Sequence, residues 1–228
     1  MATYGALAAN IPNKERKRGR PKASTRDSVD EADLLKTAFS MFATLGYEAS
    51  TMRAMARELG VSHNLLNVRF GRKSELWKAA VNWRLAAAAR DVEPAFTTQG
   101  SAQERLRDLV KRFCRWAIIN SDIVALSQQE GRRQSWRLDY ITNQFTLPFQ
   151  KRLQALMADV SQEKKLTPIS SSALLALLVH GVGSYFALGP MHDRLLSDPF
   201  TEDEPGSQKE AQADAMAEFL LAGLFARN

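Results

Sequence analysis

The chain has 228 residues, with 31 basic and 25 acidic side chains, a net charge of +6 and a single cysteine. One cysteine excludes an intrachain disulfide and a cysteine-based zinc site, and it favours residence in the reducing cytoplasm. The three histidines share no metal-ligand spacing. The sequence shows neither a phosphate-binding glycine loop nor a signal peptide, so we expect no enzymatic activity, no cofactor and no metal.

The first segment, residues 1–27, is predicted to be a disordered basic arm. Residues 14–26 carry seven basic side chains and one acidic side chain, without apolar periodicity. Their Arg-Gly-Arg-Pro-Lys sequence resembles the core of an AT-hook, in which arginines enter a narrow A·T minor groove. The candidate DNA-binding residues of the arm are Arg18, Arg20 and Lys22. A basic tail with purely electrostatic affinity for DNA is the alternative.

Positive charge is concentrated in the first part of the chain. Residues 1–90 contain 16 basic and 8 acidic side chains, whereas the remainder contains 15 basic and 17 acidic side chains. This asymmetry predicts that the N-terminal region binds a polyanion and that the C-terminal region has a different partner.

Three short helices are predicted next. A capping box at Ser28-Val29-Asp30-Glu31 starts a helix that ends at Gly46. Thr51 caps a second helix, which Gly60 stops by taking a left-handed turn. Ser62 then caps the third helix.

The third helix has one apolar side and one polar side. Leu65, Leu66 and Phe70 are predicted to face inward. The exposed side chains, which suit the major groove of DNA, are His63, Asn64, Asn67 and Arg69. An ordinary helical hairpin with a solvated face is the alternative interpretation of this pattern alone.

Residues 28–84 resemble the DNA-binding domain of TetR-family transcriptional regulators. The positions that carry the resemblance are Gly46-Tyr47, Thr51-Met52, Met55-Ala56, Gly60-Val61-Ser62, Leu66, Phe70, Lys73 and Leu76. The resemblance implies an all-α protein. It has a three-helix helix-turn-helix domain at residues 28–84 and a larger helical domain for effector binding and dimerisation at residues 85–228.

The same resemblance implies which residues touch DNA. It implies phosphate contacts from Thr51 and Lys73. It also implies base or backbone contacts, which come from Arg53, Ser62, His63 and Asn64. Asn64 is the best candidate for reading adenine, because its amide group matches the N6 and N7 atoms of that base. Asn67 and Arg69 stand where the family usually has tyrosine and histidine, so the preferred bases are expected to differ.

The rest of the chain is predicted to be helical. A long helix from Lys73 to about residue 91 is expected to connect the domains, and Ser101-Ala102-Gln103-Glu104 is a further capping box. Pro148 is expected either to kink a helix that starts near Ser135 or to start a new helical segment. Residues 170–188 are nearly all apolar or small but too short and too diluted for a membrane span, so they are predicted to be buried on both sides.

Dimerisation is implied by the family resemblance and by two apolar terminal helices, of which the last opens near Ser207. A two-fold dimer also fits a palindromic operator, whose half-sites lie about one helical turn, roughly 34–36 Å, apart. The alternative is that these helices complete the core of one monomer.

An effector pocket is implied by the same resemblance. The candidate lining residues are Phe113, Trp116, Glu130, Trp136, Tyr140, Phe145, Phe149, His180 and Tyr185. Aromatic side chains at helical spacing are also typical of an ordinary core. Cys114 shares the apolar face of Phe113, which indicates packing rather than chemistry.

The sequence therefore predicts a cytoplasmic, homodimeric DNA-binding regulator, a repressor that an apolar or amphipathic small molecule releases from double-stranded DNA. One alternative is an architectural DNA-binding protein dominated by its basic arm, without effector control. Another is a carrier of apolar ligands that has no DNA function.

Overall fold

The computed structural model describes residues 30–195 and 205–225. The predicted arm, with Arg18, Arg20 and Lys22, lies outside the described residues. Within them the regular secondary structure is helical, apart from one isolated antiparallel bridge between Leu166 and Phe225. The predicted fold class is confirmed.

Four helices form the N-terminal head. They are α1 (Glu31–Leu45), α2 (Met52–Glu58), α3 (His63–Phe70) and α4 (Lys73–Val92). The Oγ1 of Thr51 accepts a hydrogen bond from the Ala54 N–H, and the Oγ of Ser62 accepts one from the Leu65 N–H, each at 3.1 Å. Both hydroxyls satisfy amide groups that a helix start leaves unpaired, so both predicted N-caps are confirmed.

Glycines make the turns between these helices. Gly46 after α1 and Gly60 after α2 have φ values of +81° and +65°, which side chains with a Cβ rarely adopt. The buried Ser50 closes the turn after α1, since its hydroxyl lies 2.7 Å from the Gly46 carbonyl oxygen and 3.0 Å from that of Met41.

The remaining helices form the second, larger unit. They are α5 (Pro94–Thr97), α6 (Ala102–Ile119), α7 (Ser121–Glu130), α8 (Trp136–Ile141), α9 (Leu147–Glu163), α10 (Ser171–Ala176), α11 (Gly183–Ala187), α12 (Gly189–Leu195) and α13 (Pro205–Leu224). The capping box at Ser101 and Glu104 forms with both reciprocal hydrogen bonds. π-Helical turns at Thr142–Thr146 and Leu177–Val182 join α8 to α9 and α10 to α11. The first precedes Pro148, which lacks an N–H group and disrupts the regular helix ladder.

The starts of two helices differ from the sequence prediction. α1 begins at Glu31 with Asp30 as its N-cap and without a side-chain cap, whereas the predicted cap, Ser28, lies outside the described residues. α13 already begins at Pro205, two residues before the expected start at Ser207. Proline fits the first turn of a helix because its missing N–H has no intrahelical partner there.

Residues 170–188 are also less buried than predicted. Leu178 and Val182 are buried, but Leu177, His180, Gly181 and Leu188 are exposed. The segment therefore has one face in the core and one face in solvent.

The molecule has two hydrophobic cores, and α4 contributes to both. Ala88 of α4 belongs to the head core, whereas Val92, one turn later, belongs to the core of the second unit. The head core also contains Ile123 and Leu126 of α7. The boundary proposed at residue 84 thus lies inside a continuous helix, and the second unit supplies part of the head's packing.

Polar contacts reinforce this joint. The guanidinium of Arg84 on α4 binds the Asp122 carboxylate with two hydrogen bonds of 2.9 and 2.7 Å, and its Nη1 lies 2.7 Å from the Asn120 Oδ1. The indole N–H of Trp116 donates to the Ala88 carbonyl at 3.0 Å. α4 is therefore fixed to the corner between α6 and α7 by directional bonds as well as by packing.

A buried ion pair lies at the opposite end of α7. Glu130 is only 5% exposed, and both of its carboxylate oxygens lie 2.9 Å from the Nε of Arg137. The Arg137 guanidinium also lies 4.4 Å from the centre of the Tyr47 ring in the head. A buried carboxylate that loses its partner keeps the desolvation cost without compensation.

We therefore expect Arg137→Ala to lower the free energy of unfolding by about 3–5 kcal/mol at neutral pH, the usual cost of leaving a buried charge unpaired. Urea denaturation measures this. The matched control is Arg133→Ala, at an exposed position of the adjoining turn, which should change stability by less than about 0.5 kcal/mol. Equal effects of the two substitutions would contradict the assignment.

Candidate DNA interface

The exposed surface of α3 is the candidate site. Leu66 is fully buried in the head core and fixes the rotation of the helix about its axis. The side chains of His63, Asn64, Asn67 and Val68 are exposed. Because Leu66 fixes the middle of α3 in the head core, the exposed side of the helix has a fixed orientation on the head.

Two of the predicted DNA-binding side chains contact each other. The Asn67 Nδ2 lies 3.2 Å from the His63 Nδ1, one helical turn away. This contact orients the imidazole and the amide together, and both groups keep further capacity to bind a base edge or a phosphate.

Thr51, Ser62 and Arg53 surround α3. Thr51 and Ser62 use their hydroxyl oxygens as acceptors in helix caps, so each hydroxyl hydrogen remains available to a phosphate oxygen. Arg53 is exposed on the first turn of α2. The N-termini of α2 and α3 also carry unpaired amide groups, which attract anions.

Lys73 is held at the start of α4. Its Nζ donates to the Tyr47 carbonyl oxygen at 2.9 Å and lies 4.1 Å from the centre of the Tyr47 ring. An ammonium group has three donors, so two remain for a phosphate. Burial raises the pKa of the Tyr47 phenol, partly opposed by Arg137. The Tyr47 ring is therefore uncharged, and the cations of Lys73 and Arg137 both lie against it.

Arg69 occupies a different place from the one its helical position suggested. Its Nη2 lies 3.2 Å from the Glu31 carboxylate, so the guanidinium is directed towards the first turn of α1. It is therefore not an unpaired cation facing a groove. A contact between Arg69 and DNA remains a prediction.

The candidate effector residues do not form one cluster. Phe113, Trp116 and Phe149 pack in or against the core of the second unit, and the Phe113 and Trp116 rings are 4.9 Å apart. Trp136, Tyr140 and Phe145 instead pack near the head. The Trp136 and Tyr140 rings lie 5.1 and 5.9 Å from that of Trp77.

The polar candidates are also separate. Glu130 binds Arg137, and His180 is exposed on the second π-helical turn. Tyr185 packs against Phe186 and His192, with ring centres 5.1 and 4.3 Å apart. A single pocket lined by all nine residues is therefore not present in this conformation.

A cleft of about 340 Å³ opens elsewhere, between α9 and the start of α10. Met157, Leu166 and Ile169 supply apolar lining, and Ser161 and Ser170 supply hydroxyl groups. None of the candidate effector residues lines it.

Other kinds of chemistry find little support among the described residues. Burial raises the pKa of the Cys114 thiol to about 12, with a smaller contribution from Asp214, so the thiolate nucleophile is disfavoured. The part of the chain that the structure describes contains no group of three His, Cys, Asp or Glu side chains suited to a metal ion. No helix within residues 30–195 and 205–225 is long and apolar enough to cross a bilayer.

These features define an all-helical protein with a helix-turn-helix head and a larger helical second unit. Residues 34–80 match the family model of bacterial regulatory proteins, tetR family. No curated protein sequence matches the chain significantly.

Solved structures match almost the whole chain. One is the ketosteroid transcriptional regulator of Mycobacterium tuberculosis, with 17% identity, a TM-score of 0.65 and coverage of 90% of this chain and 98% of that one. Another is FadR from Bacillus subtilis in complex with stearoyl-CoA, with 15% identity, a TM-score of 0.61 and coverage of 85% and 99%. A third is the fatty acid degradation regulator FadR from Bacillus halodurans, with 15% identity, a TM-score of 0.61 and coverage of 90% and 100%.

At such low identity these structures establish the fold alone. Together with the family match in the head, they confirm the resemblance seen in the sequence. The head of the chain, at residues 34–80, thus matches the DNA-binding domain of TetR-family regulators.

Several residues that shape the site were not predicted. Glu31 and Tyr47 bind Arg69 and Lys73, and Gln129 of α7 donates to the Ala43 carbonyl of the head. These partners are 26 to 86 residues apart in the chain, so helical periodicity carries no signal for them. The exposed apolar side chain of Val68 was visible in the sequence but had no assigned role.

We expect Lys73→Met to weaken DNA binding and to reduce the slope of log affinity against log salt by about one, since one phosphate contact is lost. Lys78→Met is the matched control. The Lys78 Nζ lies 3.3 Å from a Glu75 carboxylate oxygen and 5.8 Å from the centres of the Trp136 and Tyr140 rings of α8. Fluorescence anisotropy at several salt concentrations measures both slopes. Equal slopes for the two variants would exclude a Lys73 phosphate contact.

Proposed function

We propose that this protein binds a palindromic operator as a homodimer and represses transcription until a small apolar or amphipathic molecule releases it. The observation that carries the proposal is the outer face of α3, which the buried Leu66 holds in a fixed orientation and which presents Asn64 to solvent. An amide in this position matches the paired donor and acceptor of adenine in the major groove.

Surrounding cations and helix ends support DNA as the partner. Thr51 and Ser62 stand at two helix N-termini, and Arg53 and Lys73 add positive charge beside them. Contacts of this kind to phosphates set the register of a recognition helix without reading sequence. The basic arm, with Arg18, Arg20 and Lys22, is proposed to add minor-groove contacts on the same DNA.

Effector control is proposed to act through α4. Trp116 lies next to Phe113 in the second core and donates its indole N–H to the Ala88 carbonyl of α4. A ligand that separates the helices around these two rings would break the hydrogen bond from Trp116 to Ala88. It would also strain the Arg84–Asp122 ion pair. Since α4 carries the head, such a displacement changes the spacing of the two heads in a dimer.

The class of effector is proposed from composition and from the relatives. Phe113, Trp116 and Phe149 provide apolar surface near α4. One similar structure, FadR from Bacillus subtilis, was solved with stearoyl-CoA. We therefore expect an effector with a long apolar part.

The test is selection from a genomic fragment library at a low and a high salt concentration. We expect the full chain to retain fragments that share a short palindromic site at high salt. The variant in which Arg18, Arg20 and Lys22 are all replaced by Gln should select the same site with lower affinity, because specificity comes from α3. Asn64→Ala should lose the preference at one position of each half-site.

Uniform binding that disappears with salt and with the arm variant would instead support an architectural DNA-binding protein.

The retained fragments also test the effector. Stearoyl-CoA should release them, and coenzyme A alone should not. If the protein still retains the fragments in the presence of stearoyl-CoA as well as coenzyme A, the effector proposal is overturned and operator binding is unaffected.

Dimerisation is proposed to use the exposed apolar faces of α13 and of residues 171–188. Phe219 on α13 is 81% exposed, and Leu177 and Leu188 are exposed on the second segment. Apolar surface of this kind on two terminal helices suits an isologous four-helix contact between two copies.

We expect Phe219→Asp to shift the protein towards monomer, since a carboxylate would lose hydration in an apolar contact. Analytical ultracentrifugation over a range of concentrations measures the shift. The matched control is Ile119→Asp, because Ile119 is an equally exposed apolar residue (76%) at the end of α6. If both variants associate like the unmodified chain, the interface lies elsewhere.

A further inference from the structure

Val68 is the most exposed large apolar side chain among the described residues of the head. It is 77% exposed and sits near the C-terminal end of α3, two residues after the buried Leu66. A valine in this place adds nothing to the head core, and a β-branched residue is a slightly poorer helix former than alanine. The free protein therefore gains no stability from it.

Helix geometry places Val68 at the centre of the outer face. With about 100° of rotation per residue, Asn64 and Val68 each point about 160° away from Leu66 and lie about 40° from each other. Since Leu66 faces the core, these two side chains project furthest from the head. Asn64 and Val68 are one turn apart and form a single outward row.

The other exposed side chains on this helix are polar. His63 and Asn67 contact each other beside the row, and Arg69 is tied to Glu31. Val68 is thus a lone apolar group within a polar surface. A protein-docking site would need a contiguous apolar patch, which this surface does not have.

One group in the major groove matches a lone isopropyl side chain. The C5-methyl of thymine projects into the groove, where it is recognised by apolar side chains. The other three bases carry no methyl group in the major groove.

We infer that Val68 is a specificity-determining residue that packs against a thymine C5-methyl in each operator half-site. Four residues of helix rise about 6 Å, and base pairs are stacked about 3.4 Å apart, so this thymine lies about two base pairs from the base that Asn64 reads. The inference rests on the proposed operator binding and adds the chemistry of a second position.

The experiment compares thymine with deoxyuracil, which lacks only the methyl group. Each thymine of the selected operator is replaced in turn, in both half-sites, and affinity is measured for the full-length protein and for Val68→Ala. Val68→Thr is the second variant, since it keeps the β-branched shape while replacing one methyl with a hydroxyl. Thermal unfolding checks that both variants fold, as expected for an exposed position.

We expect one symmetric pair of replacements to weaken binding of the unmodified protein by about fourfold per half-site, the value of one buried methyl group. Val68→Ala should bind the thymine operator correspondingly less tightly and should not distinguish thymine from deoxyuracil at that pair. Val68→Thr should retain part of the discrimination.

Two results would overturn the inference alone. One is an operator at which no deoxyuracil replacement matters. The other is an equal loss for the unmodified protein and Val68→Ala, which would mean that another residue contacts the methyl. Failure to select any operator would overturn this inference together with the proposed function, and the selection step distinguishes that case from the other two.

Discussion

The burial of Leu66 in the head core is the constraint on which the candidate DNA interface depends. α3 has only eight residues, and a helix of this length is not stable in water by itself. Its packing on α2 and α4, together with the Ser62 cap, holds it in place and sets which side chains face outward. A fixed helix rotation is what the proposed reading of base edges by the Asn64 amide and the Val68 isopropyl group requires.

The head in turn depends on the second unit. Ile123 and Leu126 of α7 complete its core, and Arg84 and Trp116 fix α4 to the corner between α6 and α7. The head is therefore not an independent body carried on a loose linker. A rearrangement of α6 or α7 must alter the packing of α4, and this is the route by which the proposed effector would act on the head.

Local signals in the sequence predicted much of the head. Thr51 and Ser62 cap their helices because their hydroxyls satisfy nearby amides, and Gly46 and Gly60 adopt turns that other residues disfavour. The predictions failed where tertiary contacts decide. Periodicity shows that Trp136 is on an apolar stripe, but it does not show which of two cores the stripe meets. The pairing of Arg69 with Glu31 joins residues 38 positions apart and leaves no local pattern.

The most direct test of the account is a crystal structure of the full-length protein bound to its selected operator. We expect a two-fold dimer with α3 in the major groove of each half-site and the Asn64 amide within hydrogen-bonding distance of an adenine. Thr51 and Lys73 should lie against phosphates on either side. A complex in which α3 stays outside the groove, with only the basic arm on the DNA, would contradict the account.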